Sequence, residues 1–261
     1  MGEIMRDLTM DKEGRFRQFM TWFMFTATVT GIGLLTSYFP IWGNIPFNVV
    51  PAILVLLFLK PVFFEKLKLS TLITMRVLIV LAVFNVLPGD LYVKIVLVFL
   101  VINILEATFT DLKHKQYFNF VTGLVLAAGV YALKGTWLGS IYSADAANAT
   151  ATICWIIAYT IWNWIFVTGE FSGSISLMHV GILGAPIIGI IITKNPGLWL
   201  LLRANTLTFG GVLQIANKEY FEMAFANKRF EKFIAYSHKN SIQCLLMIVN
   251  IALIAYTFIV L

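Results

Sequence analysis

The sequence predicts an all-α, polytopic integral membrane helix bundle of about nine transmembrane helices, and three observations carry that prediction. Of 261 residues, 59% are hydrophobic and only 12% are charged, with mean hydropathy +0.86, far from the mix of a water-soluble domain. The apolar residues come in long unbroken runs, and a spanning helix needs roughly 20 of them because lipid offers the backbone no hydrogen-bond partners. Lysine and arginine, finally, segregate to alternate connections, as loops on the cytoplasmic side do.

Taken in order, the apolar runs are 18–37, 47–64, 70–87, 92–112, 117–133, 148–168, 173–193, 197–217 and 240–261. The breaks between them carry helix-stopping residues: "FPIWGNIP" at 39–46, "LPGD" at 87–90, "DLKHKQ" at 111–116 and "TKNPG" at 193–197. Only 134–147 and 218–239 form long connections. With the N-terminus cytoplasmic, fourteen of the nineteen basic residues fall on that side. They are Arg6, Lys12, Arg15, Arg17, Lys60, Lys66, Lys68, Lys113, Lys115, Lys218, Lys228, Arg229, Lys232 and Lys239. Lys94, Lys134 and Lys194 fall on the other side, and nine crossings then leave Leu261 external.

The chain therefore reads as a single membrane domain over 1–261, with a cytoplasmic N-terminal segment 1–17 and a multi-pass location in the cell membrane. Within 218–239, Tyr220, Met223, Phe230, Phe233 and Ile234 fall near one helical face, so this segment is expected to lie on the cytoplasmic leaflet as an amphipathic helix. The net charge of +6 follows from topology, so the lipid bilayer is the expected partner and nucleic acid is not.

Several chemistries are missing. The chain has no phosphate-binding G-x-x-x-x-G-K-[ST] loop, no G-x-G-x-x-G and no G-x-S-x-G. Cys154 and Cys244 lie inside apolar runs, as small hydrophobes do. Of three histidines only His179 falls within a run, so no metal site and no cofactor are expected.

The candidate site comes from polar residues inside the runs, because ionisable groups at membrane depth are costly unless paired, hydrated or functional. Counting 1.5 Å per residue from the cytoplasmic ends puts Arg76, Glu106 and His179 at roughly 9 Å depth. Asn163 and Gln214 sit slightly nearer that boundary. Five helices thus bring one polar layer together, with Arg76 and Glu106 as an ion pair inside the bundle. Arg203, at a similar distance from the external boundary, and Asn205 form a second set, an outer vestibule attracting anions. Gly181, Gly184, Ala185 and Gly189 allow close packing, Pro186 marks a bend, and Trp162 stands next to Asn163.

Two readings of function follow. The first is a transporter or channel for a small polar or charged solute, with the inner layer binding the solute or passing protons. The second is an intramembrane enzyme acting on a lipid-like or isoprenoid substrate, with Glu106 or His179 as general acid or base and Arg76 holding a head group. The bland alternative is that these groups only join helices.

Overall fold

The computed structural model describes residues 12–59, 63–139, 141–143 and 148–261. Of the expected segment 1–17, residues 1–11 lie outside the described residues, as do Lys60 and 144–147 of the long connection 134–147.

The chain is all-α. Its helices are α1 (Lys12–Tyr38), α2 (Ile45–Phe58, opening with a π turn), α3 (Phe63–Val83), α4 (Gly89–Lys113), α5 (Tyr117–Ala128) and α6 (Ala149–Glu170). There follow α7 (Gly173–Thr193), α8 (Trp199–Ala216), α9 (Lys218–Ala224), α10 (Lys228–Ser237) and α11 (Asn240–Val260). Each of the nine apolar runs contains one of these helices. Five of them (α1, α4, α6, α7 and α11) are long and apolar enough to cross a membrane, whereas Ile45–Phe58, Leu69–Val83 and Tyr117–Ala128 are shorter apolar stretches. Between α5 and α6 the chain makes a two-residue antiparallel hairpin, β1 (Thr136–Trp137) with β2 (Tyr142–Ser143), which helical periodicity does not reveal.

The two charged segments take definite form. Helix α1 already covers 12–17, the described part of the segment 1–17, because nothing in "KEGRFRQF" stops a helix and the apolar run extends it. The connection 218–239 is two helices, not one. Asn227 ends the run between them: its side-chain oxygen accepts from the N–H groups of Arg229 at 3.1 Å and Phe230 at 3.0 Å, capping α10. Phe221 and Phe225 turn inward onto Phe25, Ile175 and Met178, while Trp164 packs on Phe230 and Phe233.

Helix α4 shows why the bundle suits lipid. Val98, Ile102 and Phe109 are more than half exposed, and their spacing puts them on one outward stripe. Val96, Leu100, Asn103 and Ala107 form the opposite, inward stripe. An apolar outer surface repeated on α1, α7 and α11 has no place in water. Lipid gives helices little apolar drive to associate, so small residues and polar bonds decide their packing. At Gly123 on α5 an added Cβ would stand 2.0 Å from Thr108 Oγ1 on α4 and 2.8 Å from Trp162 Nε1 on α6. Gly123→Leu is accordingly expected to push α5 off both neighbours and cost about 1–3 kcal/mol, read as a fall in unfolding temperature in detergent.

Contacts sort the helix ends into two groups. At one end Trp137 of the hairpin packs on Tyr92, Ser143 bonds Asn195 at 3.1 Å, and Tyr131 meets Phe258. At the other, Gln18 bonds the carbonyls of Ala224 and Ala226, Ser172 donates to Glu222 at 2.8 Å, and His114 lies 3.8 Å from Glu170. The hairpin end and the α9–α10 end are thus opposite poles of the bundle.

Candidate functional site

A partly open cleft lies between α3, α4, α6 and α8, with about 750 Å³ of empty space counted out to open solvent. Helical spacing builds each wall. Helix α4 presents Asn103 and Glu106 one turn apart, α6 presents Tyr159 and Asn163, and α8 presents Leu200, Arg203 and Leu207. Aromatic faces of Trp162, Phe166 and Trp199 make much of the remaining surface.

Arg203 is the centre of this arrangement. It is only 6% exposed. Its Nε donates to the Tyr159 hydroxyl at 3.3 Å and its Nη2 to Asn163 Oδ1 at 3.3 Å, with the guanidinium carbon 5.7 Å from the Tyr159 ring centroid. Its Nη1 is buried with no partner among the described residues. All of these contacts are neutral, and among the described residues no carboxylate makes an ion pair with it. Glu106 lines the same cleft from α4. Its backbone carbonyl accepts from Thr110 at 3.1 Å, but its carboxylate has no hydrogen bond or ion pair among the described residues. Asn103, which also lines the cleft, donates its amide to the Phe99 carbonyl at 3.0 Å, so its side-chain oxygen is not used in that bond and can act as an acceptor. The cleft thus carries a cation and an anion that do not neutralise each other.

The expected ion pair between Arg76 and Glu106 is not formed. Helix α3 starts at Phe63, earlier than the apolar run, so Arg76 lies past its midpoint and toward the hairpin end. There it is fully buried and its Nη1 donates to Asn205 Oδ1. Asn205 Nδ2 donates in turn to Ser37 Oγ at 2.9 Å, and Ser37 donates to the Gly33 carbonyl at 2.8 Å. This relay ties α3, α8 and α1 together. Asn205 therefore faces away from Arg203, although the two are only two residues apart: a helix turns about 200° in that interval.

The polar layer read from depth is likewise divided. Asn163 and Glu106 line the cleft. His179 and Gln214 instead meet each other between α7 and α8, with 2.6 Å from the ring Nε2 to Gln214 Oε1 and the Phe171 ring stacked on the imidazole at 4.6 Å. The amide oxygen only accepts, so Nε2 carries the proton. Depth along a helix is legible in the sequence only as far as the helix start is, and the direction in which each side chain points is not legible at all. Arg203 and Asn205 diverge in the same way, the first into the cleft with Asn163 and the second into the relay.

Sequence reasoning passes over Tyr159 and Asn103, and reads Asp111 only as part of the break at 111–116. Tyr159 is four residues before Asn163, a spacing that puts both on one face. Asp111 looks like a loop charge in "DLKHKQ", yet it is 2% exposed and accepts from Asn119 Nδ2 at 2.7 Å. Asn119 is the eighth residue after it, two turns of separation once the tight turn at Lys115 (φ 61°) folds α5 back on α4.

Among the described residues, His238 is a shifted titratable group outside the long apolar helices. The His238 ring Nε2 is 2.8 Å from Thr168 Oγ1. That hydroxyl already gives its proton to the Trp164 carbonyl at 2.7 Å, so Nε2–H donates to it and Nδ1 is the atom left to protonate. Burial lowers the His238 pKa from its ordinary 6.5. A depressed histidine favours the neutral form in the folded state, so its stabilisation is complete above about pH 6.5 and is lost as pH falls below it. Unfolding temperature measured from pH 8 to pH 5 is expected to drop in the acid limb, and His238→Gln is expected to flatten that drop.

No known family model, curated protein or solved structure matches this chain. What fold and site define is an all-α protein with five helices long and apolar enough to cross a membrane, two of which, α4 and α6, join α3 and α8 around a charged, aromatic cleft. Among the described residues no group of histidine, cysteine, aspartate and glutamate is placed to hold a metal ion.

Proposed function

We propose that the chain is a nine-span protein of the cell membrane, N-terminus cytoplasmic and C-terminus external, that transports a small polar or charged solute through the cleft between α3, α4, α6 and α8. One observation carries the transport reading: Arg203 and Glu106 line one cleft, and neither has an ionic partner among the described residues. Structural glue finds its partners within the protein, as His179 does with Gln214, whereas Arg203 and Glu106 both line a cleft. Charges left unsatisfied in a cleft are suited to a ligand.

The topology rests on two supports. Gln18 near the start of α1 and Phe258 near the end of α11 lie at opposite poles of the bundle. Arg15, Arg17, Lys113, Lys115, Lys218, Lys228, Arg229, Lys232 and Lys239 collect on segments of the α9–α10 pole, against Lys94, Lys134 and Lys194 on segments of the hairpin pole, an asymmetry that supports a cytoplasmic side for the first pole. At that inner surface α10 lies as an interfacial helix. Its exposed Phe233 and Tyr236 dip toward acyl chains, and its basic residues meet anionic head groups.

The lipid bilayer and the solute are the partners of this reading. The mainly apolar cleft wall also fits the second reading, in which a lipid-like substrate is chemically altered in place with Glu106 as acid or base. Purified protein in liposomes, assayed for counterflow with labelled carboxylates, amino acids and organic phosphates, separates the two. Transport gives uptake of an unaltered compound that Glu106→Gln abolishes; catalysis gives an altered compound and no uptake. Reporter fusions at residue 261 that signal a cytoplasmic location would refute the nine-span topology.

A further inference from the structure

We infer that the ligand of this cleft is a zwitterion on an apolar body, its anionic group held by Arg203 with Asn163 and Tyr159, and its ammonium group held by Glu106 with Asn103. The inference rests on the reading that the cleft binds a solute, and it names the solute's chemical class.

Charge balance is the argument. The guanidinium of Arg203 is more than nine-tenths buried, is held in place by two neutral oxygens and keeps Nη1 without a partner. A donor fixed in that way is preorganised for a carboxylate or phosphate oxygen, which Arg binds better than any neutral acceptor. Glu106 stands on a different wall of the same cleft, with no donor to its carboxylate among the described residues. A purely anionic ligand would satisfy Arg203 and face repulsion from Glu106; a purely cationic one would reverse the problem. Only a ligand with both charges matches each wall, since a like charge in a low-dielectric site costs as much as an opposite one gains. Asn103 contributes a side-chain oxygen one turn from Glu106, an acceptor suited to an ammonium N–H. The faces of Trp162, Phe166 and Trp199 supply an apolar bed beside the charges, and aromatic faces also favour an ammonium.

Two sources present that chemistry, a free amphipathic amino acid and the head group of a zwitterionic phospholipid, and one experiment has an arm for each. The full chain in detergent micelles is titrated with phenylalanine, 3-phenylpropionate and 2-phenylethylamine, which share one apolar body. A second arm uses short-chain lysophosphatidylethanolamine and lysophosphatidate. Apparent affinity is read from the ligand-induced shift in unfolding temperature.

In one arm the zwitterion is expected to bind about tenfold or more tightly than its single-charge analogues, and the arm that responds identifies the source. Glu106→Gln is expected to collapse the zwitterion-to-anion affinity ratio toward one. Arg203→Gln is expected to weaken zwitterion and anion together. An anion that binds the wild type as tightly as its zwitterion, or a ratio unmoved by Glu106→Gln, overturns the zwitterion inference and leaves a solute-binding cleft standing. No shift with any compound in either arm overturns both. The comparison of compounds on the wild type stands even if a variant fails to fold.

Discussion

Replacing Asn205 with leucine is expected to lower stability by about 3 kcal/mol or more, because it strands a buried charge. Arg76 is fully buried, Asn205 is the acceptor for its Nη1, and its Nε and Nη2 already lack partners. Removing the one oxygen that faces the charge leaves a desolvated cation without compensation, which costs far more than the hydrogen bond contributes when present. The loss propagates, because Asn205 also donates to Ser37 and so joins α8 to α1. Replacing Arg76 with methionine in the same chain is expected to recover most of the loss, since an apolar residue of similar length removes the stranded charge. Thermal unfolding of the two single variants and the double variant in detergent measures this. Additive losses in the double variant would show that the two residues act independently.

The second large effect is expected at Arg203, and it runs in the opposite direction for stability. Arg203→Met is expected to weaken ligand binding by roughly 100-fold, about 3 kcal/mol, through loss of the charge that faces the cleft. The same substitution is expected to leave the unfolding temperature unchanged or raised. The wild-type guanidinium is buried against neutral partners and carries an unsatisfied Nη1, so the protein gains little stability from it. A residue that stabilises the fold weakly and serves the ligand strongly is what separates Arg203 from Arg76. Uptake in liposomes and thermal unfolding of one preparation test both halves. A large loss of stability without the ligand would assign Arg203 to structure instead.

The contrast between these two arginines shows how much of the site can be read before the fold is seen. Both stand inside apolar stretches, and both are legible as costly groups needing an explanation. Depth counting puts Arg76 beside Glu106 and gives Arg203 no carboxylate. In the structure Arg76 bonds to Asn205, while it is Arg203 that shares a cleft with Glu106. The first error arises from a helix start, since α3 begins at Phe63 and not near Ser70. The second arises from rotation. Depth also places His179 in the same layer, yet its 2.6 Å contact with Gln214 keeps both on a different helix pair.

The class of structure is readable from the chain alone: long apolar runs, each holding a helix, breaks at prolines, glycines and charges, and basic residues collected toward one pole. These follow from the one-dimensional demand that every backbone group in an apolar medium be bonded within its own helix, a demand each segment meets alone. Tertiary structure decided which polar residues meet. An α-helix advances about 100° per residue, so two neighbours such as Arg203 and Asn205 project to opposite sides, and only packing against α6 and α3 determines which side becomes a cleft and which a bond. The small residues that set that packing, Gly123 against Thr108 and Gly33 against Thr206, act between helices whose approach no local pattern records.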